Sequence, residues 1–169
     1  MLHRPCPTDN KHHIFVWLSH STPEPQESKL VSRTEEYALR AAVFLASRYG
    51  EGSIRARDMA RTTGIPANYL SKILHQLAKA GVVVSERGRT GGFRLAAPPA
   101  VVVLASVVAP FEPQVQRTRC LLGLPECSDA NPCGAHNKWR AIKEATLQFL
   151  EGTTLADVLE NGDPDVAHC

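Results

Sequence analysis

The stretch from Gly64 to Leu95, GIPANYLSKILHQLAKAGVVVSERGRTGGFRL, decides the fold. In its first half, apolar residues recur at the spacing of one helical face, at Leu70, Ile73, Leu74 and Leu77. Its second half is a valine run, a glycine-rich turn and a short apolar stretch, which is typical of a β-hairpin. With a shorter helix ahead of Gly64, the pattern predicts a winged helix-turn-helix.

Local signals set the expected boundaries of this unit. Pro66 suits the first turn of a helix over about residues 66–80, and Gly81 suits its C-terminal cap. The shorter helix is expected over 57–63. The strands are expected over 82–84 and 93–95, joined by the turn at 87–92.

The flanking segments are mostly helical in pattern. Ser32 and Glu35 form a capping box for a helix over about 33–48, and Ile54 is expected in a short strand. Downstream we expect a helix over 101–109, a loop over 110–135, a long helix over 136–151 and a last short helix over 154–159. The predicted fold class is therefore mostly α, with a small β-hairpin wing and a long C-terminal dimerisation helix.

The domain organisation follows from composition. Residues 1–28 lack periodicity and are interpreted as a disordered extension. Residues 29–99 are predicted to be the winged helix-turn-helix DNA-binding domain. Residues 100–160 are predicted to hold a metal-binding loop and the dimerisation helices, and 161–169 a tail.

Length and composition exclude several classes of protein. The chain of 169 residues is long enough for one domain with an appendage, and it contains no apolar run that could span a membrane. It also lacks the apolar segment of a secretory signal, so we place the protein in the cytoplasm. Five cysteines in that compartment indicate metal or redox chemistry rather than disulfides.

Positive charge is concentrated in the predicted DNA-binding unit. Residues 29–95 carry 12 Lys and Arg against 5 Asp and Glu, whereas residues 96–169 carry 5 against 9. A basic unit of this kind suits phosphate binding, although a solvated basic surface would have the same charge. Our candidate contacts with DNA are Arg55, Arg57, Arg61, Asn68, Tyr69, Ser71, Lys72, Arg87 and Arg89.

These candidates have different expected roles. The start of the second helix enters the major groove in such folds, where Asn68 could pair with adenine; alternatively, Asn68 only caps the helix. The arginines around the short helix would hold the phosphate backbone. Arg89, at the tip of the wing, would enter the minor groove, or else the wing is a solvated hairpin.

A second pattern, Cys120-x6-Cys127-x5-Cys133-x2-His136, points to a metal centre. Iron–sulfur clusters and zinc both take thiolate and imidazole ligands. The gaps of six and five residues differ from the short Cys-x2–4-Cys spacing of zinc sites and suit a larger group, so we favour a cluster. The alternatives are zinc, three buried cysteines without a metal, and a His136 that only starts the helix.

The chain resembles the Rrf2 family of bacterial transcriptional regulators, of the IscR, NsrR and RirA type. The resemblance runs from about Leu30 to Leu159. Its main segments are 36–41, 64–66, 69–77, 79–81, 87–95, the three cysteines and 154–159. The gap of six residues between Cys120 and Cys127 is one longer than in the iron–sulfur assembly regulator of the family, and the N-terminal extension is a second departure.

The resemblance implies a homodimer held by the long C-terminal helix, a palindromic promoter site in double-stranded DNA, and an iron–sulfur cluster before that helix. Some members bind a 2Fe–2S cluster through three cysteines and a histidine, and His136 stands at the matching place. Other members bind 4Fe–4S, some with an acidic residue from the first helix of the partner, where Glu36 stands here. We favour 2Fe–2S, with 4Fe–4S as the alternative.

The sequence thus predicts a transcriptional regulator, a repressor by our interpretation, that senses iron–sulfur status, redox state or nitric oxide. The alternative is a zinc-stabilised or cluster-free winged-helix regulator or protein-binding module. We do not expect an enzyme, because the sequence shows no second cofactor motif and no carboxylate dyad. Its glycine-rich turn lies between two strands, whereas a phosphate-binding loop precedes a helix.

Overall fold

Residues 31–88, 91–111, 120–122 and 127–161 are described by the structure, a computed structural model of the chain. The predicted extension over 1–28 lies outside these ranges, as does the predicted tail apart from residue 161. Arg89 also lies outside the described residues.

The first helix, α1 (Arg33–Ser47), begins with the predicted capping box. The backbone N–H of Glu35 donates to Ser32 Oγ at 3.3 Å, and the backbone N–H of Ser32 donates to Glu35 Oε2 at 2.6 Å. Each side chain thereby satisfies a backbone donor that the helix leaves unpaired. The buried face of α1 is rich in alanine, which allows other helices to approach it closely.

The helix-turn-helix consists of α2 (Ala56–Thr63) and α3 (Ala67–Lys79). α2 begins one residue before its predicted start, and Pro66 is the N-cap of α3, one position before the first turn expected for it. At the other end, Gly81 has a positive φ of 76°. The N–H groups of Gly81 and Val82 donate to the carbonyls of Ala78 and Leu77, which completes a Schellman motif.

The wing is an antiparallel hairpin of β1 (Val83–Glu86) and β2 (Gly92–Leu95), in which Glu86 pairs with Gly92. β1 begins one residue later than predicted, since the N–H of Val82 is used to close α3. Ile54 exchanges two backbone hydrogen bonds with Phe93, at 2.8 and 2.9 Å, so a single isolated β-bridge stands where a short strand was expected.

The predicted continuous helix over 101–109 is wrong. The chain forms a 3₁₀ turn (Pro99–Val101), an extended pair at Val102 and Val103, and only then α4 (Leu104–Val108). The extended pair is held by the segment near Thr154: Leu104 N–H donates to Thr153 O, and Leu155 N–H donates to Val102 O, both at 2.9 Å. This long-range pairing, which a local pattern cannot show, replaces about the first turn of the predicted helix.

The C-terminal part contains α5 (His136–Gly152) and α6 (Leu155–Asn161), close to the predicted ranges. Asp157 and Thr154 cap the start of α6: Thr154 N–H donates to Asp157 Oδ2 at 2.8 Å, and Asp157 N–H donates to Thr154 Oγ1 at 3.2 Å. The backbone N–H of Thr154, followed by its hydroxyl, which donates to Asp157 Oδ2 at 2.7 Å, holds the pKa of Asp157 below its usual value. The cap fixes α6 against α1 and the 3₁₀ turn.

One hydrophobic core joins these elements, and α1 packs against α2, α3, α4, α6 and β2. Within the described ranges, no helix is both long and apolar enough to cross a membrane.

Two glycines near the wing give a matched stability test. A Cβ at Gly92 would collide with the backbone carbonyl of Ile54, whereas one at Gly81 would meet no atom and only the strain of a positive φ. We expect Gly81→Ala to cost about 1 kcal/mol of unfolding free energy. Gly92→Ala should cost about 3 kcal/mol, because the wing must move away from Ile54. Urea unfolding measures both losses; equal losses would contradict the close packing of the wing.

Candidate functional site

The exposed face of α3 is polar and carries positive charge. Leu70, Ile73, Leu74 and Leu77 occupy the buried face of α3. Opposite them, Lys72, Gln76 and Lys79 recur at helical spacing with His75, and these four side chains line a surface groove of about 400 Å³ together with Thr34 and Tyr69. In a helix-turn-helix this is the face that the second helix offers to the major groove.

Three of the predicted DNA contacts at the start of α3 bond to the protein itself. Asn68 is the second residue of α3 and does not cap it, since Pro66 is the N-cap; its Oδ1 accepts from the N–H of the next residue, Tyr69, at 2.9 Å. Ser71 Oγ donates to the carbonyl of Ala67 at 2.8 Å. The hydroxyl of Tyr69 lies 2.6 Å from Thr34 Oγ1, and its ring meets that of Tyr37 edge-on, which ties α3 to α1.

The predicted basic contacts are solvent-accessible. Arg55, Arg57, Arg61, Lys72 and Arg87 are all exposed. Arg61 Nη1 lies 3.9 Å from Asp58 Oδ1, a weak surface pair. In the wing, by contrast, Arg94 Nε donates to Glu86 Oε1 at 2.8 Å, and Ser53 Oγ donates to Glu86 Oε2 at 2.7 Å.

The carboxylate of Glu86 in the wing therefore accepts two hydrogen bonds. The hydrogen bond from Ser53, followed by that from Arg94, holds the pKa of Glu86 below its usual value. These two hydrogen bonds join the segment before α2 to both strands of the wing. It positions the base of the turn that carries Arg87.

The four predicted metal ligands come together in two pairs before and at the start of α5. Cys120 Sγ lies 3.6 Å from Cys133 Sγ, and Cys127 Sγ lies 3.4 Å from His136 Nδ1. Cys120 is 6% exposed and His136 is 3% exposed, so both are covered by protein. The loop is fastened to the helix by the N–H of His136, which donates to the carbonyl of Cys133 at 2.9 Å.

Sequence reasoning missed two residues beside this centre. Asp129 Oδ1 lies 2.7 Å from His136 Nε2 and accepts a hydrogen bond from Arg140 Nη1 at 2.9 Å. The bond with His136, and then the charge of Arg140, hold the pKa of Asp129 below its usual value. The i,i+4 spacing of His136 and Arg140 could have indicated that Arg140 lies near the metal centre. No sequence pattern indicates the contact of Asp129, which lies in the loop.

The donor chemistry of the two pairs fits an iron–sulfur group. Two thiolates on one tetrahedral metal, with metal–sulfur bonds of about 2.3 Å, lie about 3.8 Å apart, near the separation of Cys120 and Cys133. Yet in the part of the chain that the structure describes, no three His, Cys, Asp or Glu side chains gather around a single metal-ion position. The arrangement therefore resembles two half-sites more than one four-ligand ion site.

Glu36, the alternative ligand, lies on α1, where its Oε1 is 3.9 Å from Arg40 Nη1. Its carboxylate is partly exposed, and the expectation for it concerns a second chain. The structure describes a single chain, so the role of Glu36 as a ligand in a partner chain stays a prediction.

An apolar groove of about 560 Å³ runs between α1, α4 and α5. Its lining includes Leu39, Leu104, Val108, Trp139 and Leu150. On α5, Ile142 is 48% exposed and Phe149 is 58% exposed, and His136 is the one buried residue of this helix. In the described chain, the apolar residues of α5 are thus only partly covered.

A helix-turn-helix with a hairpin wing and a basic exposed second helix defines a winged-helix protein. The chain belongs to the Rrf2 family, described as "Iron-dependent Transcriptional regulator", which matches residues 31–161. It is a DNA-binding transcriptional regulator and not an enzyme.

Its relatives and its structural neighbours agree with this assignment. The chain is 32% identical to the regulator IscR of Yersinia pseudotuberculosis over 127 residues, 75% of this chain and 77% of that one. It is 36% identical to the regulator NsrR of Geobacillus kaustophilus, covering 75% of this chain and 86% of the relative. The solved structure of CymR, the global cysteine regulator of B. subtilis, matches with a TM-score of 0.67 and 26% identity, covering 79% and 98%.

Proposed function

We propose that this regulator is a cytoplasmic repressor that senses iron–sulfur status, redox state or nitric oxide through a cluster held by Cys120, Cys127, Cys133 and His136. It acts as a homodimer on a palindromic promoter site. The observation that carries the proposal is the convergence of these four donors in two pairs at the start of α5.

A 2Fe–2S cluster suits two pairs of donors, because each of its two irons takes two protein ligands. Cys120 and Cys133 would hold one iron, and Cys127 and His136 the other. A 4Fe–4S cluster with Glu36 of the partner subunit is the alternative. A bound cluster supplies a centre that reacts with oxidants and nitric oxide and that depends on iron supply.

The chain couples this site mechanically to α5. His136 is both a proposed ligand and the first residue of α5, and its backbone bonds to Cys133. A change in the conformation of the metal-binding loop therefore acts directly on the N-terminal end of α5, a helix of 17 residues. The same helix lines the apolar groove, so its pose also determines the surface that meets a partner.

A second copy of the chain is the proposed occupant of this apolar surface. The family resemblance implies dimerisation through this helix, and partly exposed Ile142 and Phe149 supply apolar area for it. A dimer presents two copies of α3. Their separation must match half-sites about 34 Å apart, one turn of DNA, or a multiple of that distance. A change in the pose of α5 thereby alters DNA affinity, which is the proposed switch.

The cluster assignment is tested by Cys127→Ser. Protein purified without oxygen should be brown and contain iron and sulfide, whereas the variant should lose the colour and keep its far-UV circular dichroism. Cys169→Ser, outside the metal-binding loop, is the matched control and should keep both iron and colour. A colourless wild type with stoichiometric zinc would refute the cluster and favour the zinc-stabilised alternative.

The dimer is tested by Ile142→Glu. Burying an unpaired carboxylate at the interface should weaken dimerisation at least tenfold, a cost above about 1.4 kcal/mol. Sedimentation velocity over a dilution series measures the effect. Gln148→Glu, at an exposed position of the same helix outside the groove lining, is the control for one added negative charge. An Ile142→Glu variant as dimeric as the wild type would place the interface elsewhere.

The DNA interface is tested by Lys72→Ala. Loss of one phosphate contact in each subunit of the dimer should lower the slope of log affinity against log salt by about 1.8, measured by fluorescence anisotropy with a mixed-sequence duplex. Lys138→Ala on α5 removes the same charge outside the helix-turn-helix and should leave the slope unchanged. An unchanged slope in Lys72→Ala would remove this residue from the phosphate contacts.

A further inference from the structure

We propose that Asp129 is a positioning residue for the metal centre: with Arg140, it fixes the His136 ring with its bare Nδ1 facing Cys127. The inference rests on the proposed function for its purpose, since it concerns how one proposed ligand is presented. The structural observation behind it is the contact between the carboxylate of Asp129 and Nε2 of His136, on the side of the ring away from Cys127.

The hydrogen-bond chemistry sets the tautomer of His136. A carboxylate is a hydrogen-bond acceptor, and Asp129 Oδ1 accepts from Arg140 Nη1 at 2.9 Å. The same oxygen lies 2.7 Å from His136 Nε2, so the ring proton must be on Nε2. A neutral imidazole with that proton has its lone pair on Nδ1.

The direction of that lone pair is the second observation. Nδ1 lies 3.4 Å from Cys127 Sγ, so the free side of the ring faces the other members of the proposed ligand set. His136 is 3% exposed, which leaves solvent little part in choosing between the two tautomers. Metal-binding histidines commonly donate their second N–H to a carboxylate, which orients the ring and makes it a better ligand.

Asp129 also joins two parts of the chain. It belongs to the loop between Cys127 and Cys133, while His136 and Arg140 lie one turn apart on α5. The two bonds to Asp129 Oδ1 therefore fasten that loop to the helix from outside the ligand set. Removal of the carboxylate should loosen the ring of His136 and leave the three thiols in place.

Three variants separate the hydrogen bond from charge and from general packing. Asp129→Ala removes the acceptor, while Asp129→Asn keeps an acceptor oxygen without the negative charge. Glu144→Gln is the matched control, because Glu144 Oε1 lies 3.6 Å from Arg140 Nε but has no described bond to His136. Asp129 is exposed, and its replacement should leave the fold intact by circular dichroism.

The first measurement needs no metal. In full-length, metal-free protein with ¹⁵N-labelled histidine, His136→Gln identifies the ring signals of His136 among the 7 histidines. Wild type, Asp129→Asn and Glu144→Gln should show the tautomer protonated at Nε2. Asp129→Ala should show a mixture of tautomers. An unchanged tautomer in Asp129→Ala would overturn the inference.

The second measurement uses protein loaded with iron and sulfide under anaerobic conditions. Asp129→Ala should lose iron to a chelator 10–100-fold more readily than wild type, and its midpoint potential should be higher because a negative charge is gone. Glu144→Gln should match the wild type in both. Equal iron retention and potential in Asp129→Ala and wild type would also overturn the inference. An iron-free wild type would instead refute the proposed function, and the tautomer would still decide the role of Asp129.

Discussion

The close packing of α3 on the alanine face of α1 is the contact on which the rest of the structure depends. Ala38, Ala41 and Ala42 are fully buried, as are Leu70 and Leu74 of α3. Burial of each large side chain contributes about 2 kcal/mol, and small residues on α1 let these side chains fill the space without a gap. With one face of α3 committed to the core, the opposite face must present Lys72, Gln76 and Lys79 to solvent. The proposed DNA-facing surface is thus a consequence of the core.

The same helix connects the DNA-binding unit with the C-terminal part. α1 also packs against α4 and α6, and its Leu39 lines the groove beside α5. At the N-terminal end of α1, Thr34 bonds to Tyr69 of α3, while the capping Glu35 lines the groove. One turn of α1 therefore touches both the recognition helix and the proposed dimer surface, which supplies a short physical route between them.

Much of this fold could be predicted from local patterns. The capping box at Ser32, the apolar stripe of α3 and the two strands of the wing depend on local patterns; the capping box and the stripe were found as predicted, and the strands within a residue or two of their predicted bounds. The prediction failed at 101–109, because Val102 is held extended by hydrogen bonds to a segment some fifty residues later in the chain. Nothing in that apolar run distinguishes a helix from a strand, so the long-range partner decides the conformation.

The candidate site, too, could be predicted from the sequence only in part. Spacing and residue type predicted that the three cysteines and His136 would form a group, and the structure brings each of them to another member of that set. Spacing could not show which donor pairs with which, since Cys120 bypasses Cys127 to meet Cys133. It also gave no role to Asp129, whose contact with His136 depends on how the loop folds back onto α5. The residues that such spacing patterns miss are those that orient the ligands, because their partners are set by tertiary structure.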